Sequence, residues 1–229
     1  MKNQLLAALP PKEYSRLVAY MEVVPIEFKQ EFYLPNQPIE YVYFLNDGVA
    51  SMLTVMIDGL AIEVATVGNE GMVGLPVFLG VDRVPGECFM QVAGSGFKMR
   101  ADAFKTHVTA DSLLYNLLQR YTQTLFNQIA QSAACNRLHS IEQRMCRWLL
   151  MTADRVDTNT FSLTQEFLSI MLGVNRSTVS LNASILQKAG LINYTRGQIT
   201  ILDRPGLENI TCECYQVVKA EFDRLLNGN

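Results

Sequence analysis

The first hundred residues contain a series of short strand-like runs, rich in apolar and β-branched residues. Short runs of this kind cover residues 23–29, 41–45, 49–55, 61–67, 88–92 and 96–100. Turn signals such as Asn46-Asp47-Gly48 and Asp58-Gly59 separate them. Many short strands at regular spacing are typical of an antiparallel barrel or jelly roll. We therefore predict an antiparallel β jelly roll, preceded by a short helix over residues 11–21.

The period becomes helical near residue 101. A short helix is predicted up to His107, followed by a long helix over residues 111–134 and a third over residues 138–153. The long helix carries an apolar stripe at three- and four-residue steps, formed by Leu114, Leu117, Leu118, Tyr121, Leu125, Ile129 and Ala133. Such a stripe on a helix that links two domains favours dimerisation with the same helix of a second subunit. The alternative is that the stripe packs only on the chain's own barrel.

Residues 163–186 have the pattern of two short helices with a tight turn between them. Gly173 supplies the permissive backbone for the turn, and Asn175 occupies the position of an N-cap. The second helix then opens with small polar and cationic residues, Arg176 to Ser180, in front of an apolar rear face. These are the properties of a helix that enters the DNA major groove. An ordinary helical hairpin within a core is the alternative.

Two alternating apolar runs follow, over residues 191–194 and 198–202, and Thr195-Arg196-Gly197 lies between them. They predict a β-hairpin, so the whole segment reads as a winged helix-turn-helix. Arg196 at the hairpin tip is placed either to contact a DNA phosphate or to be an exposed turn residue without a partner. A final amphipathic helix is predicted to begin at Pro205 and to extend to Leu225.

The charge distribution agrees with a nucleic-acid partner for the second half of the chain. The formal net charge is −3 overall. Residues 1–129 have a net charge of −4, whereas residues 130–204 hold eight Lys and Arg against five Asp and Glu. No apolar run reaches membrane-spanning length, and the first residues lack a secretory signal pattern. We therefore expect a soluble, cytoplasmic protein with no membrane partner.

The cysteines give little indication of a site. They form an odd, scattered set, Cys88, Cys135, Cys146, Cys212 and Cys214, which argues against a disulfide framework. Cys212-Glu213-Cys214 is too close for a relaxed disulfide, and on a helix its two thiols would point apart. No set of His, Cys and acidic residues shows metal-ligand spacing. We therefore expect no function for the Cys212-Cys214 pair, no metal site and no other cofactor.

A jelly roll, a long linking helix and a winged helix-turn-helix, in this order and at this length, resemble the Crp/Fnr family of bacterial transcription regulators. The most specific residues are LTQEFLSIMLGVNRSTVS from Leu163 onward and Gly71-Met72-Val73-Gly74. The resemblance implies an α+β chain with a sensor domain over residues 1–110, a dimerisation helix over 111–136 and a DNA-binding domain over 137–229. It also implies a homodimer that binds an inverted repeat in double-stranded DNA and a signal that alters DNA affinity or contacts with RNA polymerase.

The resemblance suggests individual residues. Arg176 matches the family's recognition-helix arginine, which can donate two hydrogen bonds to guanine. Thr164, Gln165 and Thr178 fall where family members contact phosphates. The full expected DNA-binding set is Thr164, Gln165, Asn175, Arg176, Ser177, Thr178, Ser180 and Arg196.

The expected effector pocket contains Gly71, Met72, Gly74 and Arg83. Family members that bind cyclic nucleotides carry a glutamate where this chain has Met72 and an Arg-Ser pair downstream that is missing here. Because a methionine accepts no hydrogen bond from a ribose hydroxyl, we expect that cyclic AMP is not bound in the usual way. The sequence leaves the effector unidentified, together with the operator, the regulated genes and the direction of regulation.

A jelly roll can also host metal-dependent enzymes of the cupin type. Such chemistry needs two or three histidines on barrel strands, and the two histidines, His107 and His139, both lie beyond residue 100 in helical segments. We therefore predict no catalytic residues and no enzyme. The alternatives to a regulator are a cupin-like enzyme and a barrel that serves only as an effector-independent interaction module.

Overall fold

The computed structural model describes residues 3–156 and 158–227. The first half is an antiparallel sheet with short helices around it, as the sequence predicted. Its elements are α1 (Gln4–Ala7), α2 (Pro11–Val18), β1 (Met21–Ile26), β2 (Glu31–Tyr33), β3 (Tyr41–Val55), β4 (Ala61–Val67), α3 (Leu75–Phe78) and β5 (Glu87–Arg100). The strands are hydrogen-bonded in the order β1-β5-β3-β4, and β2 also pairs with β5. We call this sheet the β-roll.

Two long strands replace four predicted short ones. β3 joins the predicted runs 41–45 and 49–55, and β5 joins 88–92 and 96–100. The register of β3 against β5 shifts three times between Leu45 and Ala50, where the sequence suggested a turn. Gly48 has φ +83°, and a Cβ there would lie 2.5 Å from the carbonyl oxygen of Val92. Asn46-Asp47-Gly48 therefore forms bulges that bend a continuous strand, because both sides keep their pairing to β5.

The second half is mostly helical. It contains α4 (Ala101–His107), α5 (Leu113–Leu138), α6 (Ile141–Val156), β6 (Thr160–Ser162), α7 (Gln165–Leu172), α8 (Arg176–Lys188), β7 (Ile192–Thr195), β8 (Gln198–Ile201), α9 (Arg204–Ile210) and α10 (Cys214–Asn227). The predicted hairpin is β7–β8, to which β6 adds an edge strand. The predicted last helix is wrong as a single element, because Thr211 adopts an extended backbone that ends α9 before α10 begins.

The apolar stripe of α5 lies inside the subunit. Leu114, Leu117, Leu118, Tyr121 and Leu125 are at most 4% exposed and belong to the core of the β-roll, and Ile129 packs against that core. α10 covers α5 from outside and adds Val218, Phe222 and Leu225 to the same core. Five of the six α5 side chains expected to pair between subunits are therefore buried within one subunit, as in the alternative of a stripe that packs on its own barrel. α10 was expected to belong to the DNA-binding domain, which begins at residue 137 in the prediction, but it packs in the core of the β-roll.

The helical half is packed firmly on the β-roll. Phe167 of α7 contacts Phe28 and Phe89 of the roll, with ring centroids 5.1 and 5.7 Å apart. Leu53 of β3 belongs to the core of the second half. We call this contact the docking interface. Among the described residues, no helix is both long enough and apolar enough to span a lipid bilayer.

Candidate nucleic-acid interface

α7 and α8 form a helix-turn-helix whose ends are capped by their own side chains. The Thr164 hydroxyl oxygen accepts a hydrogen bond from the backbone N–H of Phe167 at 3.3 Å, which starts α7. Gly173 ends it with φ +60°, a left-handed conformation that glycine adopts without strain. The predicted turn at Gly173 is therefore confirmed, and it fixes the angle at which α8 leaves α7.

Asn175 organises the first turn of α8. Its side-chain oxygen accepts three hydrogen bonds, from the Ser177 hydroxyl at 2.7 Å, the Thr178 hydroxyl at 2.8 Å and the Thr178 backbone N–H at 2.9 Å. Asn175 is thus the N-cap that the sequence predicted. The N-terminus of a helix has free N–H groups and a positive dipole end, so this turn is suited to a phosphate or to a base edge.

The two faces of α8 differ as a DNA-reading helix requires. Val179, Ala183 and Leu186 are buried against the rest of the domain, whereas Arg176, Ser177 and Leu181 are exposed. Asn182 does not disturb the rear face, because its amide donates back to the Thr178 carbonyl of the same helix at 2.8 Å. An exposed outer face and a rigidly packed rear face let α8 present side chains to a groove without unfolding its support.

The guanidinium of Arg176 forms an exposed ion pair that a DNA group can displace. Its Nη2 lies 3.0 Å from Oε1 of Glu166, and both side chains are more than 60% exposed. Such exposed pairs contribute at most about 1 kcal/mol, so a base or phosphate can replace the carboxylate. The Ser180 hydroxyl donates to Oε1 of Gln165 at 2.8 Å, which links α8 to α7. The side chains of Ser180 and Gln165 are therefore already hydrogen-bonded to each other.

The wing is the β7–β8 hairpin with its two-residue turn. Arg196 and Gly197 both have positive φ, +53° and +75°, which is the conformation that tight hairpins prefer. Arg196 is exposed at the tip. The Tyr194 hydroxyl donates to the Leu163 carbonyl at 3.0 Å, and the Leu163 N–H donates to the Gly197 carbonyl at 2.7 Å. These bonds hold the wing beside Thr164, so the wing tip and the start of α7 are close neighbours.

A family model for the Crp-like helix-turn-helix domain matches residues 143–210. This segment runs from α6 through the wing to the end of α9. It is similar to Crp-like helix-turn-helix domains, and we call it the Crp-like domain. The predicted resemblance to the Crp/Fnr regulators is thereby confirmed at the end of the chain where its most specific residues lie.

Solved structures extend the likeness of fold to most of the chain. A Crp/Fnr family transcriptional regulator from Eubacterium rectale is 18% identical, with a TM-score of 0.68 over 90% of this chain and 96% of that one. FixK2 from Bradyrhizobium japonicum is 18% identical, with a TM-score of 0.71 over 84% and 98%. The c-di-GMP responsive regulator CLP from Xanthomonas campestris is 14% identical, with a TM-score of 0.66 over 85% and 100%. No curated protein sequence matches the chain.

The residues expected to line an effector pocket surround almost no free space. Met72 is 1% exposed, and the cavity that it lines with Gly74, Tyr33 and Cys88 has a volume of about 10 Å³. Ligand pockets for small molecules measure about 300–1,000 Å³. A Cβ on Gly71 would lie 2.3 Å from the Tyr121 hydroxyl, so this side chain of α5 fills the neighbouring space. Arg83 is exposed and pairs with Asp82 at 3.9 Å, outside the cavity lining.

A buried carboxylate lies in the docking interface. Glu63 of β4 accepts hydrogen bonds from the Ser51 hydroxyl at 2.6 Å, from Nε1 of Trp148 at 3.0 Å and from the Gln91 amide at 3.3 Å. Trp148 belongs to α6 of the Crp-like domain, so Glu63 connects the two halves. Burial raises the pKa of Glu63 to about 7, although the Ser51 and Trp148 hydrogen bonds and the charges of Arg155 and Arg147 act in the opposite direction.

The structure also assembles a group that sequence spacing did not indicate. Cys212 precedes α10 and Cys214 is its first residue, so the interpretation that the two thiols point apart on one helix is wrong. Both thiols lie beside Cys135 and His139 at the end of α5, and the four ligand atoms are all within 4.8 Å of one another. Cys135 and His139 are four residues apart at the end of a helix, which is the one local signal of this group.

Neither histidine lies on a strand of the β-roll. His107 ends α4 and stacks on Tyr20 with ring centroids 3.8 Å apart, and His139 follows α5. The histidine set that a cupin-type enzyme requires is therefore not assembled by these two residues.

Proposed function

We propose that this chain is a sequence-specific DNA-binding transcription regulator of the Crp/Fnr type. The observation that carries the proposal is the outer face of α8: Arg176 and Ser177 stand exposed on a turn that Asn175 caps, over a buried rear face. Arg176 reads a guanine through two hydrogen bonds to O6 and N7, after it leaves Glu166. Ser177 contributes a short hydroxyl beside it.

The phosphate contacts surround this reading helix. Thr164 and Thr178 lie at the starts of α7 and α8, where helix dipoles favour a phosphate, and Arg196 adds a cation from the wing. Gln165 and Ser180 bond to each other across the two helices, so their contribution is to keep α7 and α8 in register as well as to approach the backbone. Within this set Asn175 acts as the N-cap of α8.

The active form is a homodimer that binds an inverted repeat. The outer face of α5 forms the interface between the two subunits, which we call the seam. The inner stripe packs on the roll from Leu114 to Ile129, whereas its last predicted member, Ala133, is exposed and belongs to a second stripe. This second stripe recurs along the exposed side at steps of four and three residues: Gln119, Gln123, Phe126, Ala130, Ala133 and Arg137. This is the spacing of a coiled-coil seam. Phe126 is 64% exposed, which is unusual for a phenylalanine in the middle of a helix unless a partner covers it.

The β-roll, with α5, is the regulatory part, and residues 141–210, from α6 to α9, are the DNA-binding part. α10, which the sequence assigned to the DNA-binding domain, packs on α5. The roll does not bind cyclic AMP in the usual way, because Met72 and Tyr121 occupy the space around Gly71 and because the cavity there holds no more than a single water molecule. The docking interface is the contact through which the roll can influence α7 and α8. Any signal that changes this contact changes the position of α8 relative to α5.

Selection of bound sequences from a random duplex pool tests the proposal. The purified full-length chain is compared with Arg176→Ala, with and without cyclic AMP. We expect an inverted repeat with half-sites about one helical turn apart, a relaxed preference at one base pair per half-site for Arg176→Ala, and no effect of cyclic AMP. Enrichment of no sequence, or the same enriched sequence from the variant, would contradict the role of α8.

A further inference from the structure

Three thiols and one imidazole converge where α5 ends and α10 begins. Sγ of Cys135 lies 3.6 Å from Sγ of Cys212, and Sγ of Cys214 lies 3.5 Å from Nδ1 of His139. The three cysteines are buried, form no disulfide, and make a small cluster separate from the two main cores. Among the described residues this is the group of His, Cys and acidic side chains whose ligand atoms come close enough to share one metal ion.

The distances agree with the coordination shell of one zinc ion. Zinc binds thiolate sulfur at about 2.3 Å and imidazole nitrogen at about 2.0–2.1 Å, so a tetrahedral site separates two sulfurs by about 3.8 Å and sulfur from nitrogen by about 3.5 Å. The measured 3.6 and 3.5 Å match these edges. A set of three cysteines and one histidine is a known closed, structural zinc shell, whereas iron–sulfur clusters generally require four thiolates.

The side chains around the four ligands support the same assignment. Nε2 of His139 lies 3.2 Å from the Glu213 carboxylate, which directs the lone pair of Nδ1 toward the thiols. A carboxylate on the second nitrogen is the usual arrangement behind a metal-bound histidine. Nε2 of Gln131 donates to Sγ of Cys214 at 3.1 Å. Glu213 lies between the two cysteines in sequence, so one short segment supplies two thiols and the carboxylate.

A buried cation lies near the four ligands. Zinc with three thiolates carries a net negative charge, and Arg147, which is 9% exposed, is a buried cation near it. Its Nη2 donates to the Ser132 hydroxyl at 2.8 Å, and its Nε has no hydrogen-bond partner within the described part of the chain.

We propose that Cys135, His139, Cys212 and Cys214 form a mononuclear zinc site that joins the end of α5 to the α9–α10 break. The site lies beside residues 139–141, through which α5 continues into α6. The Thr211 hydroxyl donates to the Gln143 carbonyl of α6 at 3.4 Å, so the same break also touches the start of the Crp-like domain. Bound zinc therefore fixes the hinge between α5 and the DNA-binding domain. Metal binding itself does not depend on the proposed function.

Metal analysis of the full-length chain, purified under reducing conditions without chelator, tests the site. We expect one equivalent of zinc per chain, or one equivalent of cobalt after exchange, with the strong visible absorption of a tetrahedral thiolate site. Cys135→Ser, Cys212→Ser and His139→Gln lose the stoichiometric metal and that absorption. Cys146→Ala and His107→Gln, which change a buried cysteine and the other histidine outside the cluster, keep both.

Glu213→Gln provides a second test that does not depend on the folding of the ligand variants. The Glu213 side chain is 71% exposed, so its loss leaves the packing unchanged. Because the carboxylate orients His139, we expect a roughly 10–100-fold weaker zinc affinity in competition with a chromophoric chelator.

Four results overturn the proposal. They are a metal content near zero after reconstitution, unchanged metal in all ligand variants, stoichiometric iron with labile sulfide, and a Cys135–Cys212 disulfide in the chain purified under reducing conditions.

Discussion

Glu70 and Arg155 form a buried ion pair across the docking interface. Oε1 of Glu70 lies 2.8 Å from both Nε and Nη2 of Arg155, and the two side chains are only 8% and 6% exposed. Glu70 follows β4 of the roll, whereas Arg155 is near the end of α6. Gly68 makes room for the pair, because a Cβ there would lie 2.4 Å from Cδ of Arg155.

Removal of one partner leaves the other charge buried. We expect Arg155→Met to lower the free energy of unfolding by about 3–5 kcal/mol in urea titrations, since the Glu70 carboxylate then has no counter-charge. Asp102→Asn breaks the exposed pair with Arg100 and serves as the control, with a much smaller change. A change in Arg155→Met no larger than in this control would show that the pair does not hold the two halves together.

The docking interface is expected to weaken as the pH rises. Burial raises the pKa of Glu63 from 4.5 to about 7, so the docked form binds a proton that the separated form releases. Stability from this group is therefore complete below pH 4.5, falls as the pH rises toward about 7, and changes no further above that value. Glu63→Gln removes this dependence, because its amide stays neutral.

Trp148 allows a direct measurement. It is the only tryptophan of the chain, and its Nε1 donates to Glu63. We expect its fluorescence to titrate with a midpoint near the raised pKa in the wild type and to stay flat in Glu63→Gln. Urea unfolding of both proteins across the same pH range should show their free energies diverging between the two pKa values. Parallel titrations of the two proteins would exclude Glu63 as the group responsible.

Local features of the candidate site could be predicted because neighbouring residues determine them. The Asn175 cap, the Gly173 turn and the apolar rear face of α8 depend on residues within one or two helical turns. The buried side of α5 could not be predicted in the same way, because α10 and the roll decide it. The group around Cys135 could not be predicted either, since Cys212 lies 77 positions away and the break at Thr211 alone brings its thiol into place.

Arg176 and Arg196 are expected to contribute to DNA binding in different ways. Arg176→Ala should cost about 1–3 kcal/mol on the selected site and relax the preference at one base pair, because a bidentate contact to guanine is lost. Arg196→Ala should weaken specific and random DNA equally and reduce the salt dependence by about one phosphate contact per subunit. Fluorescence anisotropy at several salt concentrations separates the two. Equal losses of affinity for specific and random DNA in Arg176→Ala would show that Arg176 contacts the DNA backbone instead of a base.

Dimerisation is expected to depend on the outer face of α5 and not on its inner stripe. Phe126→Glu places a charge in the centre of the proposed seam, between Gln123 and Ala130 on the same exposed side. Because a charge without a partner is costly in an interface, we expect this variant to sediment as a monomer with unchanged helix content. Val23→Glu changes an equally exposed apolar residue on β1 and should remain a dimer.

The inner stripe gives the contrasting result. Leu117 and Leu125 are at most 4% exposed within the subunit, so Leu117→Glu and Leu125→Glu should unfold the protein instead of separating two folded subunits. Sedimentation velocity combined with circular dichroism distinguishes these outcomes, since a separated dimer keeps its helical signal and an unfolded chain loses it. A Phe126→Glu protein that still sediments as a dimer would place the seam elsewhere, and folded monomers of Leu117→Glu would return it to the inner stripe.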